Sequence, residues 1–280
     1  MLLRAYRDAV GLDEPFRPAA PAASPHRFAE LTETALRLLG GDVSWLGASP
    51  REALRAALTF REPRPLSAEL SAVLDSLLGG ENRLRTVTDP YRLPLVGPGI
   101  SLWRGDITTL AADAIVNAAN SALLGCFRPM HSCVDNAIHA VAGPQLRADC
   151  HTIVTAQGAP EPTGTAKITR GYHLPARYVL HTVGPIVDDV ALPVHDHALA
   201  SCYRACLDLA AEVEPIRTIA FCGISTGVFG FPSIRAAGIA LSTVSDWLDA
   251  NPGRFDRVVF DTFGAHDHAA YQEHLTAWTR

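Results

Sequence analysis

The chain has 280 residues, 48% of them hydrophobic and 19% charged, with a formal net charge of −5 at pH 7. That length and apolar content suit one average to large domain plus an accessory unit and argue against long disordered spans. A mildly acidic balance excludes indiscriminate binding to a phosphate backbone, and no apolar run reaches the roughly 18 residues that span a bilayer.

The sequence therefore predicts no nucleic-acid and no membrane partner. Met1-Leu2-Leu3-Arg4 leads into charged residues rather than an apolar signal core, which predicts a cytoplasmic protein. In such a chain the six cysteines, Cys126, Cys133, Cys150, Cys202, Cys206 and Cys222, read as thiols or metal ligands rather than a disulfide framework.

Residues before about 25 carry Pro15, Pro18 and Pro21 and read as a loose leader. Phe28, Leu31, Ala35, Leu36 and Leu39 then recur at helical spacing up to Gly40-Gly41. Ser49-Pro50 is an N-cap followed by proline at the first helical position, opening a second helix that ends before Pro63. Ser67 opens a third, closed by Gly79-Gly80. Residues 26–80 thus form a small three-helix unit. Asp89-Pro90 to Pro98-Gly99 holds three prolines and two glycines and reads as a connection, with a boundary near residue 95.

Beyond it, short β-prone runs (100–103, 114–116, 166–168, 178–180, 219–221 and 258–260) alternate with helical stretches at 133–142, 194–213, 232–250 and 265–278. Such alternation predicts an α/β domain with helices on both faces of a mostly parallel sheet. The division is an N-terminal helical extension and linker over 1–95 and the α/β domain over 96–280.

Ligands of an α/β sheet bind at the carboxyl ends of its strands. Four loops match. Arg104-Gly105-Asp106-Ile107-Thr108 alone is an ordinary turn. Asn117 and Asn120 leave a buried strand and offer amides to a hydroxylated ligand. Gly223 to Pro232 runs from a strand into a helix and can turn backbone N–H groups toward an anion. Neither a P-loop nor a dinucleotide fingerprint is present. In the fourth loop, C-x4-H-x-C places Cys126, His131 and Cys133 within reach of one ion, a donor set that suits zinc. Three ligands leave a position for water or substrate, unless Cys150, His139 or His151 supplies a fourth. Asp135 opens the following helix, where the dipole favours its ionised form and where it can cap the helix or act as a base. Cys202 and Cys206 read as core residues, and His181 as a local hydrogen-bonding partner.

From about residue 99 onward the chain resembles a macrodomain, the ADP-ribose-binding three-layer α/β/α fold with a mixed, mostly parallel central sheet. The resemblance rests on G-D-I-T at 105–108, V-N-A-A-N at 116–120, T-G-T-A-K-I-T at 163–169, Y-V-L-H-T-V-G-P at 178–185 and G-I-S-T-G-V-F-G-F-P at 223–232. The run from Gly125 through Cys126, His131, Cys133 and Asp135 to His139 is similar to that of the zinc-dependent macrodomains of microbes, as is the helical extension. The resemblance implies a Zn2+-dependent hydrolase that removes mono-ADP-ribose from protein side chains. It places Asp106 and Ile107 at the adenine, and Asn120, backed by Asn117, at the distal ribose. Ser225, Thr226, Gly227, Val228 and Phe229 would cradle the diphosphate, with Phe229 or Phe231 near the distal ribose. Cys126, His131 and Cys133 would hold the metal, and Asp135 and Asn120 would be catalytic. The implied partners are an ADP-ribosylated protein, ADP-ribose and a sirtuin-like ADP-ribosyltransferase system. A reader that binds ADP-ribose without turnover, its zinc structural, and a deacetylase of acetyl-ADP-ribose are the alternatives.

Overall fold

In the computed structural model, which describes residues 1–20, 24–40 and 49–278, seven strands carry the apolar runs. They are β1 (Leu95–Gly97), β2 (Ile100–Arg104), β3 (Ala114–Ala119), β4 (Ala166–Arg170), β5 (Tyr178–Val183), β6 (Thr218–Phe221) and β7 (Arg257–Thr262). They form one sheet in the order β1-β2-β7-β6-β3-β5-β4. The five central strands are parallel, and β1 and β4 add antiparallel edges. Alternate residues of one strand serve opposite faces: Ala114 and Val116 belong to one apolar cluster, Ile115 to the other. Both faces are buried, so the central strands carry near-continuous apolar runs, broken toward their carboxyl ends by Asn117, His181 and Asp261. β1 falls inside the stretch that composition marks as a connection.

Helices α1 (Pro25–Leu38), α2 (Pro50–Phe60) and α3 (Ala68–Arg83) surround a core of their own, with Leu31, Leu36, Leu54, Leu70, Leu74 and Leu77 at its centre. Ser49 and Glu52 cap α2 reciprocally. One expectation fails: Gly79-Gly80 does not end α3, which continues to Arg83. The last turn is held from outside, by Arg51 donating to Glu81 at 2.7 and 2.8 Å and by Asn82 Nδ2 donating to His173 O at 2.6 Å. These contacts outweigh the glycine penalty of about 1 kcal/mol per residue. Gly41 and Pro21 lie outside the described residues.

Helices α4 (Val134–Ala142) and α5 (Pro144–Gln157) cover one face of the sheet, and α6 (Pro193–Ala211), α7 (Ser233–Ala250) and α8 (Ala265–Trp278) the other. The sequence pattern misses α5, whose buried Leu146, Cys150 and Ile153 are interrupted by polar residues. The three-helix unit sits against α4 and α5. Asp75 of α3 accepts from Gln145 at 2.8 Å and lies 3.0 Å from His173 Nε2. Among the described residues no helix is long and apolar enough to cross a membrane.

The first fourteen residues are not a loose leader. Leu3, Tyr6, Val10 and Leu12 are buried in the larger core, and Tyr6 Oη accepts from Ile168 N at 3.0 Å. That bond satisfies a donor on the edge strand β4, which would otherwise invite pairing with another chain.

Candidate active site

The loops leaving the carboxyl ends of β2, β3, β6 and β7 enclose a cavity of about 1050 Å³. Its wall gathers Asp106, Ile107, Asn120, Cys126, His131, Cys133, Asp135 and the whole Ser225-to-Phe229 loop, residues more than a hundred positions apart in sequence. Two expected residues stay out of it. Asn117 is fully buried on β3 behind the wall, where its Nδ2 donates to Asp135 Oδ1 at 2.8 Å and approaches His181 Nδ1 at 3.2 Å. Phe231 is packed in the core, so of the two phenylalanines expected here Phe229 is the one that reaches the cavity.

At one end, Asp106 is fixed from both sides. Its Oδ1 accepts from Thr108 N at 3.0 Å and Thr108 Oγ1 at 2.6 Å, and its Oδ2 accepts from Arg85 Nη2 at 2.8 Å. Arg85 follows α3, and nothing in its sequence context marks it. Asp261, at the end of β7, shares the Asn117 and His181 face of the sheet by the two-residue period of strands. It is almost fully buried, and its Oδ1 has no hydrogen-bond partner among the described residues. Burial, with the charge of Asp106 nearby, pushes its carboxyl up to about 8.

This value lies above that of the unfolded chain, about 3.9. The folded protein therefore keeps a proton that the unfolded chain releases, and stability falls as pH rises from about 4 until the folded group itself ionises near 8. Asp261→Asn removes that loss. Chemical denaturation from pH 5 to 8.5 is expected to show a flatter profile for the variant and a gain of about 1–2 kcal/mol at the alkaline end. Parallel profiles for the two proteins would refute it.

Along the wall, Ser225 takes a left-handed backbone, φ 64°. Gly184 makes room for it, because a Cβ there would lie 2.0 Å from Ser225 Oγ. The turn closes on itself through Phe231 N to Ser225 O at 2.9 Å and Gly230 N to Gly227 O at 3.1 Å. The backbone N–H groups of Thr226, Gly227, Val228 and Phe229 find no acceptor among the described residues. A row of donors leading into α7 is an anion cradle.

At the other end, one ligand atom from each of Cys126, His131 and Cys133 lies within 4.8 Å of the others, with Cys126 Sγ 3.4 Å from His131 Nδ1. Bonds of 2.0–2.3 Å in a tetrahedral site set zinc ligands about 3.5–3.8 Å apart, so this set fits the ion with a small closure. Met130, at φ 57°, turns the loop back, and Asn136 Nδ2 holds it by donating to His131 O at 2.9 Å and Arg128 O at 3.3 Å. Among the described residues no fourth ligand joins. Cys150 is buried against His181, His151 faces Thr155, and His139 is buried under Gly125. Burial pushes the Cys133 thiol up to about 11, with the neighbouring Cys126 and Asp135 adding to it.

Asp135 differs from the sequence expectation. It is buried, and desolvation outweighs the helix dipole, raising its carboxyl to about 6 against the pull of Asn117 and Arg147. His139 Nε2 lies 3.4 Å from Asp135 Oδ1 without hydrogen-bond geometry, and burial keeps that ring neutral. Arg147 is a residue that sequence reading misses. Its Nη1 donates to the carbonyls of Leu58, Thr59 and Arg61 at the end of α2, and its guanidinium stacks 4.6 Å from the Phe127 ring. The helical unit thereby props the loop that carries Cys126.

Comparison with known proteins finds relatives of the whole fold. The Macro domain family matches residues 116–240. The chain is 47% identical over 224 residues to a protein-ADP-ribose hydrolase of Treponema medium, covering 79% of this chain and 85% of that one. It is 48% identical over 226 residues to a protein-ADP-ribose hydrolase of Staphylococcus aureus, covering 79% and 83%. Among solved structures, a Trypanosoma brucei macrodomain in complex with ADP-ribose superposes with a TM-score of 0.60 at 31% identity, over 93% of this chain and 100% of that one.

Proposed function

The chain belongs to the Macro domain family, and from that premise we propose that it is a zinc-dependent hydrolase that removes mono-ADP-ribose from modified protein side chains. The observation that carries the proposal is the meeting of Asp135, Asn120 and the Cys126, His131, Cys133 donor set at one end of a cavity whose wall is a row of free N–H groups. ADP-ribose lies along it with adenine by Asp106 and Ile107, diphosphate on the 226–229 donors and the distal ribose by Asn120.

The side chains divide the work. Asn120 Nδ2 donates to Gly125 O at 3.1 Å and its Oδ1 accepts from Ala122 N at 3.0 Å, which leaves one amide hydrogen and one lone pair for a ribose hydroxyl. Asp135 Oδ1 is held by Asn117, and its Oδ2 carries no hydrogen bond from the described residues. That oxygen stabilises the positive charge that grows on the ribose ring as the side chain departs, and it accepts the proton of the attacking water. When bound by the three donors, zinc supplies a Lewis acid at this end.

The test is to measure metal content alongside ADP-ribose release from Asp/Glu-, Ser- and Arg-linked substrates. Calorimetric binding of ADP-ribose without turnover of any of them would sink the hydrolase reading. At the adenine end, Arg85→Met frees Asp106 from its ion pair. Calorimetry is expected to show ADP-ribose affinity lower by about five- to tenfold, since the pair is partly exposed.

A further inference from the structure

Among the described residues, Arg55 is the one side chain of the three-helix unit that lines the cavity. It also borders the crevice formed by Asn136, His139 and Arg147, which places it at the end that holds Cys126 and Asp135. Its Nε is shut off from water with no hydrogen-bond partner, and no ion pair is made by its guanidinium among the described residues. Leaving a guanidinium nitrogen desolvated and unbonded is costly unless something else supplies the acceptor.

The arginines beside it in and just after α2 and in the crevice, Arg51, Arg61 and Arg147, are committed. Arg51 is bidentate to Glu81, Arg147 holds the α2 carbonyls, and Arg61 donates to the carbonyls of Glu62 and Pro65. Arg128, exposed on the Cys126 loop, is the second cation on this wall without a side-chain partner among the described residues. Charge along the cavity is segregated. Of the four carboxylates on the described wall, Asp106, Asp261 and Asp267 come from the β2 and β7 side at the far end, and Asp135, the fourth, is already held by Asn117. A nucleotide with its adenine at the acidic end brings its ribose–protein bond to the basic end, so Arg55 and Arg128 meet the protein part of the substrate.

The geometry points to Arg55, together with Arg128, as a docking site for carboxylates of the modified protein that flank the ADP-ribosylated side chain. The inference rests on the hydrolase reading for the direction in which the substrate lies. It assigns the three-helix unit a part in choosing the substrate: α2 delivers the guanidinium, and a planar, bidentate donor suits a carboxylate better than it suits neutral backbone.

The test uses the full chain and two mono-ADP-ribosylated peptides that differ only in having glutamates or lysines on either side of the modified residue. Hydrolysis is measured as kcat/KM. Affinity is measured by calorimetry with hydrolysis-resistant versions of the same peptides. The wild type is expected to favour the glutamate peptide by about tenfold in both measurements. Arg55→Gln reduces the preference to twofold or less, Arg55→Glu reverses it, and Arg55→Lys keeps part of it, while affinity for free ADP-ribose stays within twofold and melting temperatures match. Equal affinity of the wild type for the two peptides would overturn the inference, as would an Arg55→Gln variant that weakens both peptides and free ADP-ribose alike. If the wild type cleaves neither peptide, the hydrolase reading fails by itself, and the resistant peptides still decide whether Arg55 reads acidic flanks.

Discussion

Asp135→Asn is expected to slow release of ADP-ribose from a modified protein by about 10²–10⁴-fold, the range that a positioned proton acceptor supplies. The substitution is nearly isosteric, so the carbonyl oxygen can still accept from Asn117 Nδ2, now at 2.8 Å from Asp135 Oδ1. What disappears is the negative charge beside the ribose and the oxygen that takes up a proton. Affinity for ADP-ribose is expected to stay within about threefold, because the 226–229 donors and Asp106 are untouched. Thermal stability is expected to rise slightly, since a buried carboxylate is being neutralised. Single-turnover release of ADP-ribose, run beside calorimetry and a melting curve, separates these readouts. A variant that turns over at the wild-type rate would remove Asp135 from the chemistry. Asn117→Ala is the companion: it leaves the carboxylate but not its orientation, and a smaller loss of roughly tenfold is expected.

The parts of this site that sequence makes legible are those in which a chain segment carries its own geometry. The 223–232 loop announces its turn through glycines, and Cys126, His131 and Cys133 sit close enough in sequence to converge whatever surrounds them. Sheet faces were legible in outline because apolar runs mark buried strands. What is invisible is anything set by docking of distant elements. Arg85 and Arg147 are ordinary helix-flanking arginines until Asp106 and the end of α2 are brought to them. The first fourteen residues look unstructured because the segment is short and runs straight into Pro15 and Pro18, and a local reading sees nothing for Leu3, Tyr6, Val10 and Leu12 to pack on, yet the core and the edge of β4 give them a place. Gly79-Gly80 reads as a stop signal for the same reason: propensity is local, and the contacts of Glu81 and Asn82 that carry the helix past it are not. Asp135 shows the converse error. A helix terminus favours an ionised carboxylate by up to about 2 kcal/mol at best, and full burial opposes it more strongly.

The metal-ligand set carries the second large effect, and Cys133→Ser isolates it. Cys133 has two roles in the structure: its Sγ belongs to the donor cluster, and it accepts from Asn136 N at 3.4 Å as the N-cap of α4. Serine is among the best N-caps, so the helix start survives the exchange, whereas a hydroxyl is a poor zinc ligand beside a thiolate. Structural zinc sites bind with about 10–16 kcal/mol shared over four ligands, so removing one costs about 3 kcal/mol, or roughly a hundredfold in affinity. Purified Cys133→Ser is accordingly expected to contain well under a tenth of the zinc of the wild type, and to lose activity by a comparable factor, with ADP-ribose binding largely kept. Chelation of the wild type should reproduce the loss, and added Zn2+ should restore the wild type at concentrations that leave the variant inactive. Full activity in the variant, or a wild type whose activity is indifferent to chelation, would leave Asp135 and Asn120 as the working groups and reduce the three donors to a brace for the loop.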